Sequence, residues 1–209
     1  MPTLVKICGI STSETLAAAI RSGASHVGFV HFAKSPRHLA LGAIAMLRRQ
    51  VPDHVKAVLL LVNPDAPLLD EAVRIVAPDV VQFHGGESPE TLVRFRAETG
   101  IEAWRAMAVK DAPSLAEVAA FRGAADRVLL DAPASALPGG NGTRFDWSLL
   151  AGWQAPLAWG LAGGLTPANV AEAIRLTGAP LVDTSSGVER SPGIKDVDKI
   201  AAFCKATRI

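Results

Sequence analysis

Residues 56–62, Lys-Ala-Val-Leu-Leu-Leu-Val, form an apolar run that shows no alternation of apolar and polar residues. A half-exposed strand would show that alternation, so this run is typical of a strand covered on both faces, as in a parallel sheet. Seven other short runs rich in Val, Leu and Ile have the same character: residues 4–7, 26–30, 80–83, 103–109, 127–130, 157–161 and 181–182. The sequence therefore predicts eight strands of a parallel sheet.

Helical stretches separate most of these runs. Four helix starts are marked by a cap residue that stands either before a proline or three residues before a glutamate: Ser88-Pro89, Thr166-Pro167, Ser11 with Glu14, and Ser114 with Glu117. Four helix ends are marked by a glycine, which favours a left-handed C-cap: Gly23, Gly100, Gly123 and Gly178. The chain is thus predicted to alternate strand and helix, with the weakest helix between residues 146 and 153.

Eight strand–helix units in 209 residues are compatible with few architectures. A closed (β/α)8 barrel, the TIM barrel, fits them best, and no linker or low-complexity segment divides the chain. An open doubly wound sheet is the alternative. We therefore expect an α/β protein with one (β/α)8-barrel catalytic domain over residues 1–209.

The composition argues against several classes of partner. The chain has 21 Lys and Arg residues against 20 Asp and Glu residues, and this balance gives neither a footprint for nucleic acid nor an attraction to an anionic membrane. No apolar stretch approaches the ~18 residues of a membrane helix, and two cysteines are too few for a disulfide framework. We expect a cytoplasmic protein with no nucleic-acid or membrane partner, in which local groups hold any anionic ligand.

Unusual polar residues stand at the carboxyl ends of four predicted strands, where barrel enzymes carry their chemistry. They are Cys8, Gln82, His84, Asp131 and Asp183. Several also have a purely structural interpretation: Cys8 as a small buried hydrophobe, His84 as a hydrogen-bonded core residue, and Asp131 as a turn cap. Because a barrel brings its strand ends together, the joint pattern favours a site. We expect Gln82, His84 and Asp183 to bind the substrate there.

Two loops that follow the last two predicted strands have the composition of an anion site. The first contains Gly163 and Gly164, and the second contains Ser185 and Ser186. Glycines let backbone N–H groups approach an anion, and a helix N-terminus favours negative charge. Either loop could be an ordinary turn. However, these positions are the usual phosphate site of a TIM barrel, so we expect these four residues to bind phosphate.

Two other loops carry candidate functional residues. Arg37, in Ser35-Pro36-Arg37 after the second strand, can present its planar fork to a carboxylate, although an isolated arginine is more often a solvated surface residue. Residues 138–142, Pro-Gly-Gly-Asn-Gly, follow the sixth strand and could form a lid or a mobile connection. They lack the Gly-Lys-Ser/Thr of a nucleotide phosphate loop.

These segments together resemble the phosphoribosylanthranilate isomerases. The matching pieces are Lys6-Ile7-Cys8-Gly9, Gly28-Phe29 with Ser35-Pro36-Arg37, Val81-Gln82-Phe83-His84-Gly85, Leu130-Asp131, Gly139-Gly140-Asn141-Gly142 with Phe145-Asp146-Trp147, Leu161-Ala162-Gly163-Gly164-Leu165, and Asp183 with Ser185-Ser186-Gly187-Val188-Glu189. They span nearly the whole chain in order, and the combination is specific although no single piece is. Two residues depart mildly from the pattern: Asn141 replaces Thr or Ser, and Thr184 replaces an aliphatic residue.

The resemblance implies an isomerase of tryptophan biosynthesis. Its reaction is the Amadori rearrangement of N-(5-phosphoribosyl)anthranilate, a small sugar phosphate, to 1-(2-carboxyphenylamino)-1-deoxyribulose 5-phosphate. The resemblance implies Cys8 as general base and Asp131 as general acid, with Arg37 near the anthranilate carboxylate and the two late loops on the phosphate. The substrate nitrogen supplies the electron sink, so no cofactor is expected. No His, Asp and Cys cluster has metal-ligand spacing, so no metal is expected either.

This chemistry requires opposite proton states of the two groups: Cys8 ionised and Asp131 protonated in the working complex. Side chains alternate along a strand, so Lys6 shares the face of Cys8. A neighbouring ammonium group favours a thiolate, and we expect Lys6 to lower the pKa of Cys8. Cys204 lies on the apolar face of the last predicted helix and is assigned to packing.

Two alternative functions stay open at this point. The isomerase of histidine biosynthesis runs an analogous rearrangement on a related barrel, but we would expect carboxylates in both acid–base roles there, and a second phosphate site. A non-catalytic phosphate-binding barrel would need no thiol facing a carboxylate. The assembly stays open between a monomer and a homodimer.

Overall fold

The computed structural model describes residues 2–133 and 145–209. Eight parallel strands close into a barrel in the order of the chain, and the last strand pairs with the first, Leu181 opposite Leu4. The strands are β1 (Leu4–Cys8), β2 (His26–His31), β3 (Lys56–Leu61), β4 (Val80–Phe83), β5 (Glu102–Ala108), β6 (Arg127–Asp131), β7 (Trp159–Leu161) and β8 (Leu181–Thr184). The predicted (β/α)8 barrel is confirmed, and the open doubly wound sheet is wrong.

Helices lie between the strands along the chain. They are α1 (Ser13–Ser22), α2 (Leu41–Arg48), α3 (Ala66–Val76), α4 (Pro89–Thr99), α5 (Ala112–Ala116), α6 (Val170–Thr177) and α7 (Val197–Ala206). Short 3-10 helices cover Glu117–Phe121, Trp147–Leu150 and Ser186–Val188. The second of these stands where the weakest helix was predicted. Within the described residues, no helix is long and apolar enough to cross a membrane.

A two-stranded antiparallel hairpin follows the last barrel strand and precedes α7. Its strands are β9 (Glu189–Ser191) and β10 (Ile194–Lys195). The sequence runs did not predict this hairpin, because its strands have only three and two residues. The segment 138–142, considered above as a lid, lies outside the described residues.

The predicted capping residues agree with the structure better at the C-termini of the helices than at their N-termini. The C-caps of α1, α4 and α6 are glycines in the left-handed conformation, as predicted, and Ser88 caps α4. However, α1 is capped by Thr12 instead of Ser11, and α5 is capped by Asp111, whose capping-box partner is Ser114. An N-cap needs an extended backbone, which Thr12 and Asp111 have. A turn over residues 167–169 precedes α6, so Thr166-Pro167 does not begin it directly.

The barrel interior holds an apolar layer midway along its strands, and it is polar at their carboxyl ends. A buried cluster fills the apolar part and consists of Val58, Val80, Trp104, Ala106, Leu129 and Leu181. Side chains on one face of a strand recur at every second position. Two positions beyond a cluster residue on β4, β6 and β8 stand Gln82, Asp131 and Asp183. The fold therefore places these three polar side chains above a closed apolar layer.

Candidate active site

One cavity at the carboxyl ends of the barrel strands encloses about 630 Å³. All ten residues predicted for the site line this cavity: Cys8, Arg37, Gln82, His84, Asp131, Gly163, Gly164, Asp183, Ser185 and Ser186. The apolar side chains that share the lining include Val30, Phe32, Leu60 and Val62. An apolar wall with a few convergent polar groups is typical of a site for a small organic ligand.

A buried ion pair lies beneath the cavity. Lys6 Nζ on β1 donates to Asp183 Oδ2 on β8 at 2.8 Å, and the Lys6 side chain is fully buried. Burial opposes the charge on Lys6, but Asp183 and Cys8 together outweigh burial and raise the pKa of Lys6. Burial also raises the pKa of Asp183, and Lys6 opposes that shift. The pair therefore keeps an ammonium group within reach of the cavity.

The Cys8 thiol is buried at the end of β1. Burial raises the pKa of Cys8 above its ordinary value of 9.0. Lys6 and Lys195 act against this shift by favouring the thiolate, and Asp183 adds to it. Lys6 thus acts in the predicted direction, but the net pKa of Cys8 is raised, because desolvation exceeds the attraction of the ammonium groups.

Asp131 ends β6, which is separated from β1 in the barrel by β7 and β8. Its Oδ1 accepts a hydrogen bond from the backbone N–H of Ala132 at 2.8 Å, and its Oδ2 lies 3.5 Å from His84 Nε2. His84 Nδ1 lies 3.3 Å from Gln82 Nε2. This chain of contacts from β4 to β6 fixes the orientation of the Asp131 carboxyl group toward the cavity.

Two buried oxygen atoms beside the cavity have no hydrogen-bond partner among the described residues. They are Gln82 Oε1 and Asp183 Oδ1. Buried polar atoms in native proteins are normally paired, so such acceptors indicate positions that a ligand donor completes. The hydroxyl groups of a sugar are donors of that kind, which is consistent with the predicted substrate-binding role of both residues.

The two glycine-containing loops after β7 and β8 pack against each other. Gly163 and Gly164 have left-handed backbones, with φ of 80° and 63°. Thr184 Oγ1 donates to the carbonyl oxygen of Leu165 at 2.7 Å. A Cβ atom on Gly187 would lie 1.9 Å from that same oxygen, so only glycine fits this close approach. The loops therefore form one backbone surface on the cavity wall.

Arg37 is held in a buried ion pair and is not a solvated surface residue. Only 8% of it is exposed. Its Nε and Nη2 donate to the two carboxylate oxygens of Glu189 at 2.7 and 2.8 Å. The planar guanidinium group therefore binds a carboxylate of the protein itself. Arg37 nevertheless lines the cavity, so the pair with Glu189 fixes its position there.

Two residues of this region are not among the predicted site residues. The sequence shows Glu189 only as the last residue of a matching segment, and it gives no signal for Lys195. Lys195 Nζ donates to Glu189 Oε1 at 2.7 Å. A lysine in a short polar hairpin is usually solvated, so no local sequence signal distinguishes Lys195 from an ordinary surface residue.

The fold and this cavity define a (β/α)8-barrel protein in which a thiol, a carboxyl group and two glycine-containing loops line one cavity. Among residues 2–133 and 145–209, no group of three or more His, Cys, Asp or Glu side chains could hold a metal ion. The sequence model of the N-(5'-phosphoribosyl)anthranilate isomerases matches residues 5–206. The chain belongs to this family.

Individual relatives agree with the family assignment. The chain is 57% identical, over 206 residues and 99% of both chains, to the N-(5'-phosphoribosyl)anthranilate isomerase of Erythrobacter litoralis (strain HTCC2594). It is similar to the solved phosphoribosylanthranilate isomerase of Thermotoga maritima, with a TM-score of 0.89, 34% identity and 98% of both chains covered. A further solved isomerase of the family binds reduced 1-(o-carboxyphenylamino)-1-deoxyribulose 5-phosphate, and matches with a TM-score of 0.86, 33% identity and 98% coverage of both chains.

Proposed function

We propose that this chain catalyses the Amadori rearrangement of N-(5-phosphoribosyl)anthranilate to 1-(2-carboxyphenylamino)-1-deoxyribulose 5-phosphate, a step of tryptophan biosynthesis. The observation that carries the proposal is that Cys8, Asp131 and the two loops share one cavity in a chain of this family. The solved relative that binds the reduced product supports the same substrate class. The relatives named above also favour the tryptophan pathway over the histidine pathway.

The two ends of the substrate bind on different parts of the cavity wall. The phosphate binds at Gly163, Gly164, Ser185 and Ser186, where the loop backbone offers N–H groups. The anthranilate carboxylate lies near Arg37, and the sugar hydroxyls bond to Gln82, His84 and Asp183. Binding energy from the phosphate, which does not react, then orients the sugar carbons between the thiol and the carboxyl group.

Asp131 and Cys8 carry the proton transfers. Asp131 donates a proton to the ring oxygen as the bond from that oxygen to C1 breaks, and the nitrogen lone pair forms a C=N bond to C1. The positive nitrogen acidifies the C2–H bond, and the Cys8 thiolate removes that proton. The resulting enolamine takes up a proton at C1 and loses the C2 hydroxyl proton, which yields the aminoketone. The product is an isomer of the substrate, as the atom balance requires.

The test is turnover of phosphoribosylanthranilate by the purified protein, with the histidine-pathway aminoaldose as a second substrate. We expect the first substrate to be consumed much faster. Cys8→Ala should lower kcat by at least ~10²-fold, because it removes the base. Cys204→Ala is the matched control, because Cys204 packs in the apolar core and should leave kcat near the wild-type value.

Two outcomes would contradict the proposal. Preference for the histidine-pathway substrate would assign the chain to the other pathway, and no turnover of either substrate with phosphate still bound would favour a binding protein. Normal folding and nearly unchanged kcat in Cys8→Ala would remove Cys8 from the mechanism. The cytoplasmic location, the single catalytic domain over residues 1–209, and a monomer or homodimer as the assembly stay predictions from the sequence.

A further inference from the structure

The hairpin of β9 and β10 carries a buried lysine that does not react in the proposed mechanism. The Lys195 side chain is fully buried. Its ammonium group has three oxygen partners: Glu189 Oε1 at 2.7 Å, Ser185 O at 2.9 Å and Ser185 Oγ at 3.2 Å. Three donors and three acceptors satisfy the hydrogen-bonding capacity of the group. Lys195 therefore ties the hairpin to the predicted phosphate loop.

Glu189 extends this contact to the loop after β2. Its carboxylate accepts from Lys195, from the Nε and Nη2 of Arg37, and from the backbone N–H of Gly193 at 3.2 Å. Burial opposes the charge on Glu189, but Arg37 and Lys195 together outweigh burial and lower its pKa. One carboxylate thus holds the arginine of the β2 loop and the lysine of the hairpin at fixed positions.

The same network reaches the end of β1. Ser185 Oγ donates to the backbone oxygen of Cys8 at 3.1 Å. A Cβ atom on Gly9 would lie 2.6 Å from Arg37 Cδ and 3.2 Å from Ser185 Oγ, so the three segments are in close contact there. Gly9, which follows the general base Cys8, therefore lies between the arginine and the phosphate loop.

A buried ion network of this kind is not explained by stability alone. Taking charges out of water costs free energy, and apolar replacements of a buried ion pair are often equally stable. Burial lowers the pKa of Lys195, which Glu189 only partly opposes, so the charge on Lys195 is held against a desolvation cost. A role in positioning gives a reason to keep the charges.

We propose that Glu189 and Lys195 are positioning residues that fix Arg37 and Ser185 relative to each other and to Cys8. This inference rests on the proposed function. The network sets the distance between the binding site for the aromatic carboxylate and the binding site for the phosphate. A substrate that occupies both sites is therefore held in one position. Lys195 in addition supplies a positive charge that favours the Cys8 thiolate.

The charged and titratable groups around the thiol define what a pH measurement reports. They are Lys6 on β1, Asp183 on β8, Lys195 on β10 and Arg37 in the loop after β2, and across the cavity His84 and Asp131. Loss of the Lys195 charge should raise the pKa of Cys8, because one of the two ammonium groups that favour the thiolate is removed.

The experiment compares Lys195→Met, Lys195→Arg and Glu189→Gln with Lys199→Met as the matched control. Lys199 Nζ donates to the backbone oxygen of Glu189 at 2.7 Å, so its loss weakens the same hairpin without removing the buried charges. The measurements are kcat, KM for phosphoribosylanthranilate, the dissociation constant of inorganic phosphate, and the pH dependence of Cys8 alkylation by iodoacetamide. The alkylation series uses a Cys204→Ala background, so that only one thiol reacts.

The expected pattern separates geometry from charge. Lys195→Met and Glu189→Gln should raise KM and weaken phosphate binding by about tenfold or more. The reason is that Arg37 and Ser185 are no longer held at a fixed distance from each other. Lys195→Met should also move the alkylation midpoint to higher pH. Lys195→Arg keeps the charge and should keep the midpoint, although its larger head group raises KM. Lys199→Met should change neither.

Other results would overturn the inference. If Lys195→Met and Lys199→Met lower thermal stability alike and leave KM and the alkylation midpoint unchanged, the network is structural only. If Lys195→Met does not fold, wild-type KM and phosphate affinity in Glu189→Gln and Lys195→Arg would equally show a structural network. The alkylation and phosphate measurements need no substrate, so a wild-type protein without isomerase activity would refute the proposed function and still test the network.

Discussion

Replacement of Lys6 by Met should destabilise the protein strongly, because it leaves a buried carboxylate without its ammonium partner. Lys6 is 0% exposed and Asp183 is 8% exposed. Lys6 Nζ lies 2.8 Å from Asp183 Oδ2, and Asp183 Oδ1 has no hydrogen-bond partner among the described residues. Methionine is an unbranched side chain of similar length, so the substitution removes the charge and leaves little empty volume.

The magnitude follows from the burial of the pair. Removal of one partner of a buried ion pair costs about 3–5 kcal/mol, because the remaining charge is left in a poorly solvated site. For a domain of this length, each kcal/mol lowers Tm by about 2–4 °C. Lys6→Met should therefore lower Tm by about 6–20 °C near neutral pH.

The same reasoning fixes the sign of the pH dependence. Burial raises the pKa of Asp183 above its ordinary value of 3.8, and Lys6 opposes this shift, so the pKa rises further without Lys6. A carboxyl group whose pKa is raised by folding contributes its full stability below the unfolded value and loses it as pH rises through the folded value. The stability difference between Lys6→Met and wild type should therefore be smallest in acid and grow toward neutral pH, by at most about 1.4 kcal/mol per pH unit.

The assay is urea unfolding of four proteins across this pH range: wild type, Lys6→Met, Asp183→Asn and the double variant. Each single variant leaves one buried charge without its partner. The loss of stability in the double variant should therefore be smaller than the sum of the losses in the two single variants. The double variant should recover a large part of the loss, because neither charge remains. A loss below about 1 kcal/mol at neutral pH, or a loss of equal size at every pH, would refute the argument from an uncompensated charge.

Three further predictions concern the proposed roles of the site residues. Asp131→Asn should lower kcat by at least ~10²-fold, because an amide cannot donate an acidic proton, while a substrate analogue still binds; an unchanged rate would assign the acid role elsewhere. Arg37→Lys should raise KM about tenfold, because an ammonium group cannot reproduce the two parallel bonds to Glu189, and unchanged kinetics would exclude Arg37 from binding. Alkylation of Cys8 should be half-maximal above pH 9.0, because burial raises its pKa, and a midpoint below that value would show that the nearby ammonium groups outweigh burial.

The strands and the site residues on them could be predicted from the sequence, because both depend on local order. Apolar runs without alternation mark strands covered on both faces, and eight of them in one chain leave few closed arrangements. A residue at the carboxyl end of a barrel strand must face the same end of the barrel as all the others. For that reason Cys8, Asp131 and Asp183 could be assigned to one cavity from the sequence alone.

Helix starts were harder to predict, because several cap residues stand close together in the sequence. Ser11 and Thr12 are adjacent, and both side chains can accept a backbone hydrogen bond. Thr12 is the cap: its backbone is extended, and its side chain accepts a hydrogen bond from the backbone N–H of Thr15. The residue types alone do not distinguish it from its neighbour.

Only the tertiary structure decided the electrostatics of the site. Arg37 and Glu189 are 152 positions apart in the chain, and no spacing rule connects them, so their buried pair could not be predicted. The pKa of Cys8 depends on a balance between desolvation and two ammonium groups, one of which, Lys195, comes from a short hairpin. The sequence determined which groups meet at the end of the barrel, because strand order and side-chain alternation are local properties. Their charges and partners depend on burial and on long-range contacts, which exist only in the folded chain.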